Sequence, residues 1–168
     1  MTLVPDRIFD TYRDITPEFL ASEGIEALLI DIDNTLAPYE QPLPDEHHAA
    51  WFRAMADAGV CCALISNNKP ERVRIFSEGL GVAAYADCGK PSRKYLKIAL
   101  SDLGVEASRA AVLGDQLLTD CLSARRMGMK AYIVPPIKDK TTLFFRFKRA
   151  LERPFIKKYH RLHRKDEK

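Results

Sequence analysis

The ten residues ALLIDIDNTL, at positions 27–36, decide the fold, because a short apolar run leads directly into two aspartates, an asparagine and a threonine. A continuous apolar run of this length is typical of a strand buried on both faces of a parallel sheet. Ligands bind such sheets outside the carboxyl ends of the strands, which is where Asp31 and Asp33 lie in the sequence. The stretch therefore predicts a parallel sheet with a polar site at its edge.

The same alternation of apolar runs and helical patterns continues along the chain. The predicted strands are 27–32, 60–65, 82–86, 110–113 and 131–134, and the predicted helices are 45–59, 70–78, 92–103 and 120–127. Asp45 is an expected N-cap, and Gly104 and Gly128 are expected helix ends. This order predicts an α/β fold in three layers, with a parallel sheet flanked by helices on both faces.

Composition excludes several classes of protein. With 168 residues, 46% hydrophobic and 29% charged, the chain fits one globular domain and not a collagen-like, disordered or disulfide-scaffold protein. Its four cysteines lack C-x-x-C spacing, so we expect a reducing cytoplasmic setting. Because we find neither a signal-peptide pattern nor a long apolar run, any membrane contact is expected to be peripheral.

Charge is segregated along the sequence. The formal net charge is +3, yet residues 138–168 hold 12 basic and 4 acidic residues, a net +8 against −5 for the remainder. We therefore divide the chain into a core at 1–140 and a basic, aromatic tail at 141–168. Leu143, Phe144, Phe147 and Leu151 share one helical face. That face could pack on the sheet or bind anionic lipid, and contact with RNA is a third, less favoured reading.

Polar clusters follow four of the predicted strands. They are Asp31 to Thr35, Ser66 to Asn68, Lys90, and Asp115 to Asp120. Asp31, Asp33, Asp115 and Asp120 are hard oxygen donors with no well-placed histidine or cysteine among them, which favours Mg²⁺ over Zn²⁺. His47 and His48 have no partner ligands and are expected to face solvent. A magnesium site of this kind indicates phosphoryl transfer.

The residue types suggest separate chemical roles for the residues of these clusters. The side chains of Asp31 and Asp33 lie two residues apart and face the same side of an extended segment. One carboxylate could attack phosphorus while the other handles protons. Lys90 could neutralise phosphate charge, and the Ser66 hydroxyl could hold a phosphate oxygen.

The motifs resemble, in order, those of haloacid-dehalogenase (HAD) superfamily phosphatases, and more narrowly those of the YqeG-type subfamily in class IIIA. The matching stretches are DIDNTL at 31–36, SNN at 66–68, Lys90-Pro91, and GDQ at 114–116 with Thr119-Asp120. The subfamily is similar to phosphatidylglycerophosphate phosphatases of mitochondria and some bacteria. The resemblance covers about residues 5–155 and departs from the expected pattern at Cys121, Ser123 and Arg125.

The resemblance implies a role for each matching residue. Asp31 would be nucleophile and metal ligand, and Asp33 would be acid and base while giving its backbone carbonyl to Mg²⁺. Asp115 would ligate the metal, with Asp120 supporting it. The residues that would bind the transferring phosphoryl group are Thr35, Ser66, Asn67 and Lys90.

The spacing of the motifs leaves no room for a cap domain, because 33 residues separate Asp33 from Ser66 and 24 separate Ser66 from Lys90. An open site favours a large substrate, either a macromolecule or a lipid head group, and phosphatidylglycerophosphate is the leading expectation.

Among enzymes, the alternative functions are phosphatases of a protein, nucleotide or sugar phosphate. A receiver-type module has a different motif order, and a ribosome or RNA adaptor using the tail is the remaining non-enzyme alternative. We expect a cytoplasmic protein that could also bind peripherally to the inner face of the membrane. The sequence does not assign its oligomeric state.

Overall fold

A computed structural model describes residues 2–138 and 143–163, without the side chains of 143–146, 148 and 149. Six parallel strands form one sheet in the order β1-β6-β5-β2-β3-β4. The strands are β1 (Arg7–Ile8), β2 (Ala27–Ile30), β3 (Cys61–Ile65), β4 (Ala83–Tyr85), β5 (Ala110–Gly114) and β6 (Lys130–Ile133). The predicted parallel sheet is confirmed, with boundaries shifted by one or two residues.

Helices cover both faces of the sheet. They are α1 (Pro17–Ser22), α2 (Glu46–Asp57), α3 (Pro70–Ser77), α4 (Lys94–Leu103), α5 (Leu122–Met127) and α6 (Leu143–His163). The carboxylate of Asp45 caps α2 by accepting the backbone N–H of His48. Gly104 and Gly128 end α4 and α5 with φ values of 66° and 71°, where a side chain would be strained. These three predicted helix boundaries lie where the sequence signals place them.

Two apolar cores, one on each face, hold the layers together. On one face, Leu28 and Ile30 of β2 pack with residues of α1, α2 and α3, among them Trp51 and Phe76. On the other face, Leu29 packs with residues of α4, α5 and α6. All four residues of β2 are buried because the strand is covered from both sides. The predicted three-layer α/β fold is confirmed.

No inserted domain interrupts residues 31–115, all of which the structure describes. Only α2 and β3 lie between Asp33 and Ser66, and only α3 and β4 lie between Ser66 and Lys90. The expectation of a fold without a cap is confirmed for this part of the chain.

Two N-terminal elements were not predicted. β1 has two residues and pairs with β6 at the sheet edge, and α1 has six. Both are too short for a repeating pattern of hydrophobic residues to reveal them.

The helix α6 does not pack through the described part of its apolar face. Among the side chains of α6 that the structure describes, Glu152 and Tyr159 are buried, whereas Phe147 and Leu151 are 63% and 46% exposed. The Tyr159 hydroxyl accepts the Ile8 N–H at 3.2 Å, which joins α6 to β1. The segment after Pro154 therefore packs on the core through Tyr159, and Phe147 and Leu151 of the apolar face do not. Residues 141–142 and 164–168 of the predicted tail lie outside the described residues.

Within the described ranges, no helix combines the length and apolar character that a bilayer crossing requires.

Candidate active site

The site lies where the order of strands reverses. The chain runs outward from β2 through β3 to β4, then returns to place β5 on the other side of β2. Asp31 directly follows β2 and its backbone N–H is donated to Leu113 of β5 at 2.9 Å, while Asp115 directly follows β5. A crevice at such a reversal is the usual ligand site of an open parallel sheet.

A tight loop after β2 fixes the direction of the two aspartates. Asn34 adopts a left-handed backbone with φ 65°, which asparagine tolerates better than most residues. Its N–H is donated to the Ala37 carbonyl at 2.8 Å, and its side-chain oxygen accepts the Lys138 N–H at 3.3 Å. The loop is thus held both internally and by the segment that follows β6.

Three carboxylates and one ammonium group meet in this crevice. Oxygens of Asp31, Asp115 and Asp120 all lie within 4.8 Å of one another, and all three residues are buried. Lys90 Nζ lies 2.8 Å from Asp31 Oδ1 and 2.7 Å from Asp120 Oδ1. One positive charge against three carboxyl groups leaves a net charge of −2 when all are ionised, which a divalent cation would neutralise.

The pKa values of these groups depend on their surroundings. Burial raises the pKa of Asp31 to about 8, with Lys90 opposing the rise and Asp120 and Asp115 adding to it. For Lys90, burial disfavours the ammonium form, but Asp120 and Asp31 outweigh burial and raise the pKa. The cluster therefore favours a proton or a metal cation at Asp31 in addition to the charge of Lys90.

A π-helical turn at Leu117–Cys121 brings Asp120 back towards the sheet. Asp120 Oδ2 accepts the Gln116 N–H and the Thr119 hydroxyl, each at 3.2 Å, while Oδ1 faces Lys90. A Cβ at Gly114 would lie 2.5 Å from Asp120 Cβ, so glycine is required for this close approach. Single π turns inside helices are frequent at functional sites.

The donor set fits magnesium. Its three converging groups are carboxylates, and no His or Cys joins the cluster among the described residues. Mg²⁺ prefers oxygen ligands of this kind, with one or two carboxylates and its remaining ligands from water and phosphate. The side chain of Asp33 is outside the three-carboxylate cluster, which is compatible with its expected contribution through the backbone carbonyl.

Asp33 instead faces α3. Its Oδ1 accepts Arg72 Nε at 3.3 Å and Arg72 Nη2 at 3.2 Å, and its Oδ2 accepts Asn68 Nδ2 at 3.0 Å. Sequence reasoning missed Arg72 and gave Asn68 no role of its own. A cation in the first turn of a helix opposes the helix dipole unless a carboxylate compensates it, but the sequence does not indicate which carboxylate does so.

The predicted phosphoryl-binding residues occupy different positions. Ser66 lines the cavity and its Oγ accepts the Asn68 N–H at 3.0 Å, which leaves the hydroxyl proton for a ligand. Asn67 also lines the cavity, but its amide is bonded to the backbone of Lys90 at 2.7 Å and 3.2 Å. Thr35 is buried and is not among the cavity-lining residues.

Two of the three residues that depart from the subfamily pattern contact the N-terminal segment. Cys121 Sγ lies 3.5 Å from the Leu3 carbonyl, and Arg125 pairs with Asp6 at 2.9 Å. None of Cys121, Ser123 and Arg125 lines the described catalytic cavity. Cys121 and Arg125 therefore tie the π turn and α5 to the start of the chain, whereas the Ser123 hydroxyl donates to the Thr119 carbonyl.

The cavity itself is small and open. It measures about 290 Å³ and is lined by Asp31, Asp33, Tyr39, Ser66, Asn67, Asn68, Lys90, Gln116 and Thr119. Burial and the nearby carboxylates, Asp33 foremost, raise the pKa of Tyr39 to about 12, so its phenol is neutral at physiological pH. A second groove, of about 720 Å³, is lined by Asp115, by the end of β6, and by charged residues of both signs, among them Asp10, Glu152, Arg153 and Lys157.

Comparisons with known proteins agree with this geometry. Residues 87–138 match the family described as HAD-hydrolase-like. The probable phosphatase YqeG of Bacillus subtilis (strain 168) is 32% identical over 153 residues, which cover 91% of this chain and 89% of that protein. A 43-residue stretch is 46% identical to the phospholysine phosphohistidine inorganic pyrophosphate phosphatase of Bos taurus, covering 26% of this chain and 16% of that protein.

Solved structures share the fold. A probable YrbI family phosphatase from Pseudomonas syringae pv. phaseolica 1448a superposes with a TM-score of 0.54 at 21% identity, covering 77% of this chain and 76% of that chain. An uncharacterized protein from Listeria monocytogenes serotype 4b gives 0.54 at 16% identity, covering 70% and 85%. With 32% identity to a probable phosphatase along most of both sequences, the chain belongs to the YqeG-type phosphatases of the haloacid-dehalogenase superfamily.

Proposed function

We propose that this HAD-type phosphatase is a Mg²⁺-dependent phosphomonoester hydrolase that forms an aspartyl-phosphate on Asp31. The observation that carries the proposal is the convergence of Asp31, Asp115 and Asp120 beside a cavity at the strand reversal, with Lys90 Nζ 2.8 Å from Asp31. A carboxylate nucleophile divides one difficult displacement into two easier ones.

Each carboxylate has a distinct part in the proposed reaction. Asp31 attacks phosphorus, and Asp33 gives a proton to the departing oxygen and later takes one from the attacking water. Asp31, Asp115 and the Asp33 carbonyl would hold Mg²⁺, with Asp120 in support. When bound, the metal would keep Asp31 ionised and neutralise charge on the phosphoryl oxygens.

The phosphoryl group would be held by residues from three different loops. Lys90 supplies a buried positive charge, and Ser66 supplies a hydroxyl whose proton is free. Asn67 supports the group mainly by fixing the Lys90 backbone. Thr35 is buried within the loop that carries the aspartates, and it would support the phosphoryl group through that loop.

We propose a large phosphorylated substrate, with phosphatidylglycerophosphate as the leading candidate. The cavity of about 290 Å³ has no domain to close over it in residues 31–115, so the substrate would provide its own cover. The groove next to Asp115 is lined by apolar residues, including Phe9 and Ile156, by Arg153 and Lys157 of α6, and by the carboxyl groups of Asp10, Asp115 and Glu152. Its apolar residues and the two cations of α6 would contact the apolar chains and the negative charge of the leaving group.

We also propose that α6 contacts the anionic inner surface of the membrane while the protein remains cytoplasmic. Phe147 and Leu151 lie one helical turn apart and are exposed. Exposed apolar residues on a basic helix are typical of peripheral lipid contact.

Phosphate release from phosphatidylglycerophosphate in phosphatidylcholine vesicles with Mg²⁺ tests the proposal. Wild type should hydrolyse the lipid, and Asp31→Asn should be inactive. The double variant Phe147→Ser, Leu151→Ser should lose vesicle activity while keeping activity on glycerol 3-phosphate. Ile98→Ser on α4, also an exposed apolar position at 38%, is the matched control and should behave as wild type.

The outcomes separate the parts of the proposal. Hydrolysis of soluble phosphate esters with none of the lipid would overturn the substrate and favour a protein, nucleotide or sugar phosphate. Unchanged vesicle activity in the α6 double variant would overturn the membrane contact alone. Turnover by Asp31→Asn near that of wild type would overturn the mechanism.

A further inference from the structure

Arg72 is placed where a positive charge is otherwise unfavourable. It is the third residue of α3, whose N-terminal backbone N–H groups already carry partial positive charge. Its side chain is only 14% exposed, and its guanidinium lies 5.1 Å from the Phe76 ring centroid. A buried cation at a helix N-terminus requires a compensating group, and Asp33 is that group.

The guanidinium joins α3 to the connection between β2 and α2. Two of its nitrogens, Nε and Nη2, donate to Asp33 Oδ1 at 3.3 Å and 3.2 Å, and Nη1 donates to the Pro42 carbonyl at 2.9 Å. Pro42 belongs to the connection between β2 and α2, whereas Arg72 belongs to α3. Arg72 therefore fixes Asp33 relative to both elements, with a planar fork that a lysine could not reproduce.

Counting hydrogen bonds distinguishes the two oxygens of Asp33. An ionised carboxylate oxygen accepts about two hydrogen bonds, and Oδ1 has both from Arg72. Oδ2 has one, from Asn68 Nδ2 at 3.0 Å. One acceptor position on Oδ2 therefore remains for a proton or for water.

We infer that Arg72 is the positioning residue for Asp33, holding the carboxyl group so that Oδ2 performs both proton transfers. The inference rests on the proposed function and assigns the atom that moves the proton. Arg72 does not line the described catalytic cavity, whereas Asp33 and Asn68 do, so its effect on the reaction passes through Asp33.

The two steps balance at Oδ2. In the first, an Asp31 oxygen bonds to phosphorus, the bond from phosphorus to the leaving oxygen breaks, and the proton on Asp33 Oδ2 passes to that oxygen. In the second, water gives a proton to Oδ2 as its oxygen bonds to phosphorus, and the bond to Asp31 breaks to release phosphate. Asp33 ends protonated, ready for the next substrate.

The dependence of kcat/KM on the leaving group tests this role, because kcat/KM reports the steps up to departure of the leaving oxygen. An alkyl oxide needs the proton, whereas p-nitrophenolate departs without it. For glycerol 3-phosphate, Arg72→Met should lower kcat/KM about 10-fold to 100-fold. General acids contribute a rate enhancement of about 10² to 10⁴, and an acid displaced from its position loses part of that enhancement. For p-nitrophenyl phosphate the loss should stay below about 3-fold.

Four further variants are needed for a complete test. Arg72→Lys should lie between wild type and Arg72→Met in the ratio of the two kcat/KM values. Asp33→Asn combined with Arg72→Met should be no worse than Asp33→Asn alone, because two changes in one pathway are not additive. Arg74→Met, on the same helix at a side chain 69% exposed, is the matched control and should match wild type.

Equal losses on both substrates, or additive losses in the double variant, would overturn the positioning role and favour direct phosphate binding by Arg72. If Arg72→Met does not fold, the same ratio measured for Arg72→Lys decides, and an unchanged ratio there overturns the inference. Absence of phosphatase activity in wild type with Mg²⁺ would instead refute the proposed function.

Discussion

Replacing Lys90 by methionine removes the one ammonium group that lies between Asp31 and Asp120 in the described site. The distances of 2.8 Å and 2.7 Å correspond to a gross attraction of about 6 kcal/mol per pair at an effective dielectric constant of about 20. Desolvation of the ammonium group offsets much of this attraction. Loss of one partner from a buried ion pair costs about 3–5 kcal/mol, because the remaining charge is left uncompensated.

We therefore expect Lys90→Met, in EDTA at about pH 8, to lower the free energy of unfolding by about 3–5 kcal/mol. This loss is large, because the total free energy of unfolding of a domain is typically about 5–15 kcal/mol. Magnesium should restore more stability to the variant than to wild type, because the cation replaces the missing positive charge. Urea unfolding with and without Mg²⁺ measures both quantities.

Lys94→Met, at an exposed position on α4, is the matched control and should change stability by less than about 0.5 kcal/mol. If Lys90→Met unfolds at the same urea concentration as wild type in EDTA, the buried cluster does not depend on the ammonium group. Equal stabilisation of both proteins by Mg²⁺ would likewise refute the reasoning.

Three other changes test separate parts of the structure. Gly114→Ala should displace Asp120, since the new Cβ would lie 2.5 Å from Asp120 Cβ. The affinity for Mg²⁺, measured by calorimetry, should fall by more than about 10-fold, which is the usual cost of disturbing a group that supports metal ligands. An unchanged affinity would contradict the assigned contact. Because burial raises the pKa of Asp31 from 3.8 to about 8, its contribution to metal-free stability should decline as pH rises from about 4 to about 8. Mg²⁺ displaces that proton, so affinity should rise up to about pH 8 and then level off, and a flat profile between about pH 6 and 8 would be inconsistent with the raised pKa. Tyr159→Phe should destabilise the fold by about 1 kcal/mol in thermal unfolding through loss of the bond to Ile8 N, and a stability equal to wild type would show that this bond contributes nothing.

The sheet was predictable because its strands are continuous apolar runs, each followed by polar residues. The residues 27–30 are buried on both faces, so burial alone selects their types and the pattern is unambiguous. Gly104 and Gly128 were predictable for a similar reason, since a left-handed helix end strongly favours glycine.

Features that depend on contacts distant in sequence were not predictable. The pairing of Arg72 with Asp33 joins residues 39 apart, and neither residue type indicates the other. His48, expected to face solvent, is buried because its ring stacks on Tyr12 and its Nε2 lies 2.8 Å from the Leu36 carbonyl. Such partners become visible only when separate elements pack together.

The helix α6 shows that an amphipathic pattern does not by itself identify which face packs on the core. Leu143, Phe144, Phe147 and Leu151 share a face by spacing, yet Phe147 and Leu151 are exposed while Glu152 is buried. Glu152 Oε1 accepts the Leu118 N–H at 3.2 Å from the π turn. A specific hydrogen bond to the site loop thus helps determine which side of α6 packs.

The most direct test of the central claim is to locate the covalent phosphate. Wild-type protein mixed with ³²P-labelled substrate and Mg²⁺, then quenched in acid within the first turnover, should carry label on the peptide that contains Asp31. Asp31→Asn should carry none and release no phosphate. Label on another residue, or phosphate release by Asp31→Asn at a rate near that of wild type, would contradict the assignment of Asp31 as nucleophile.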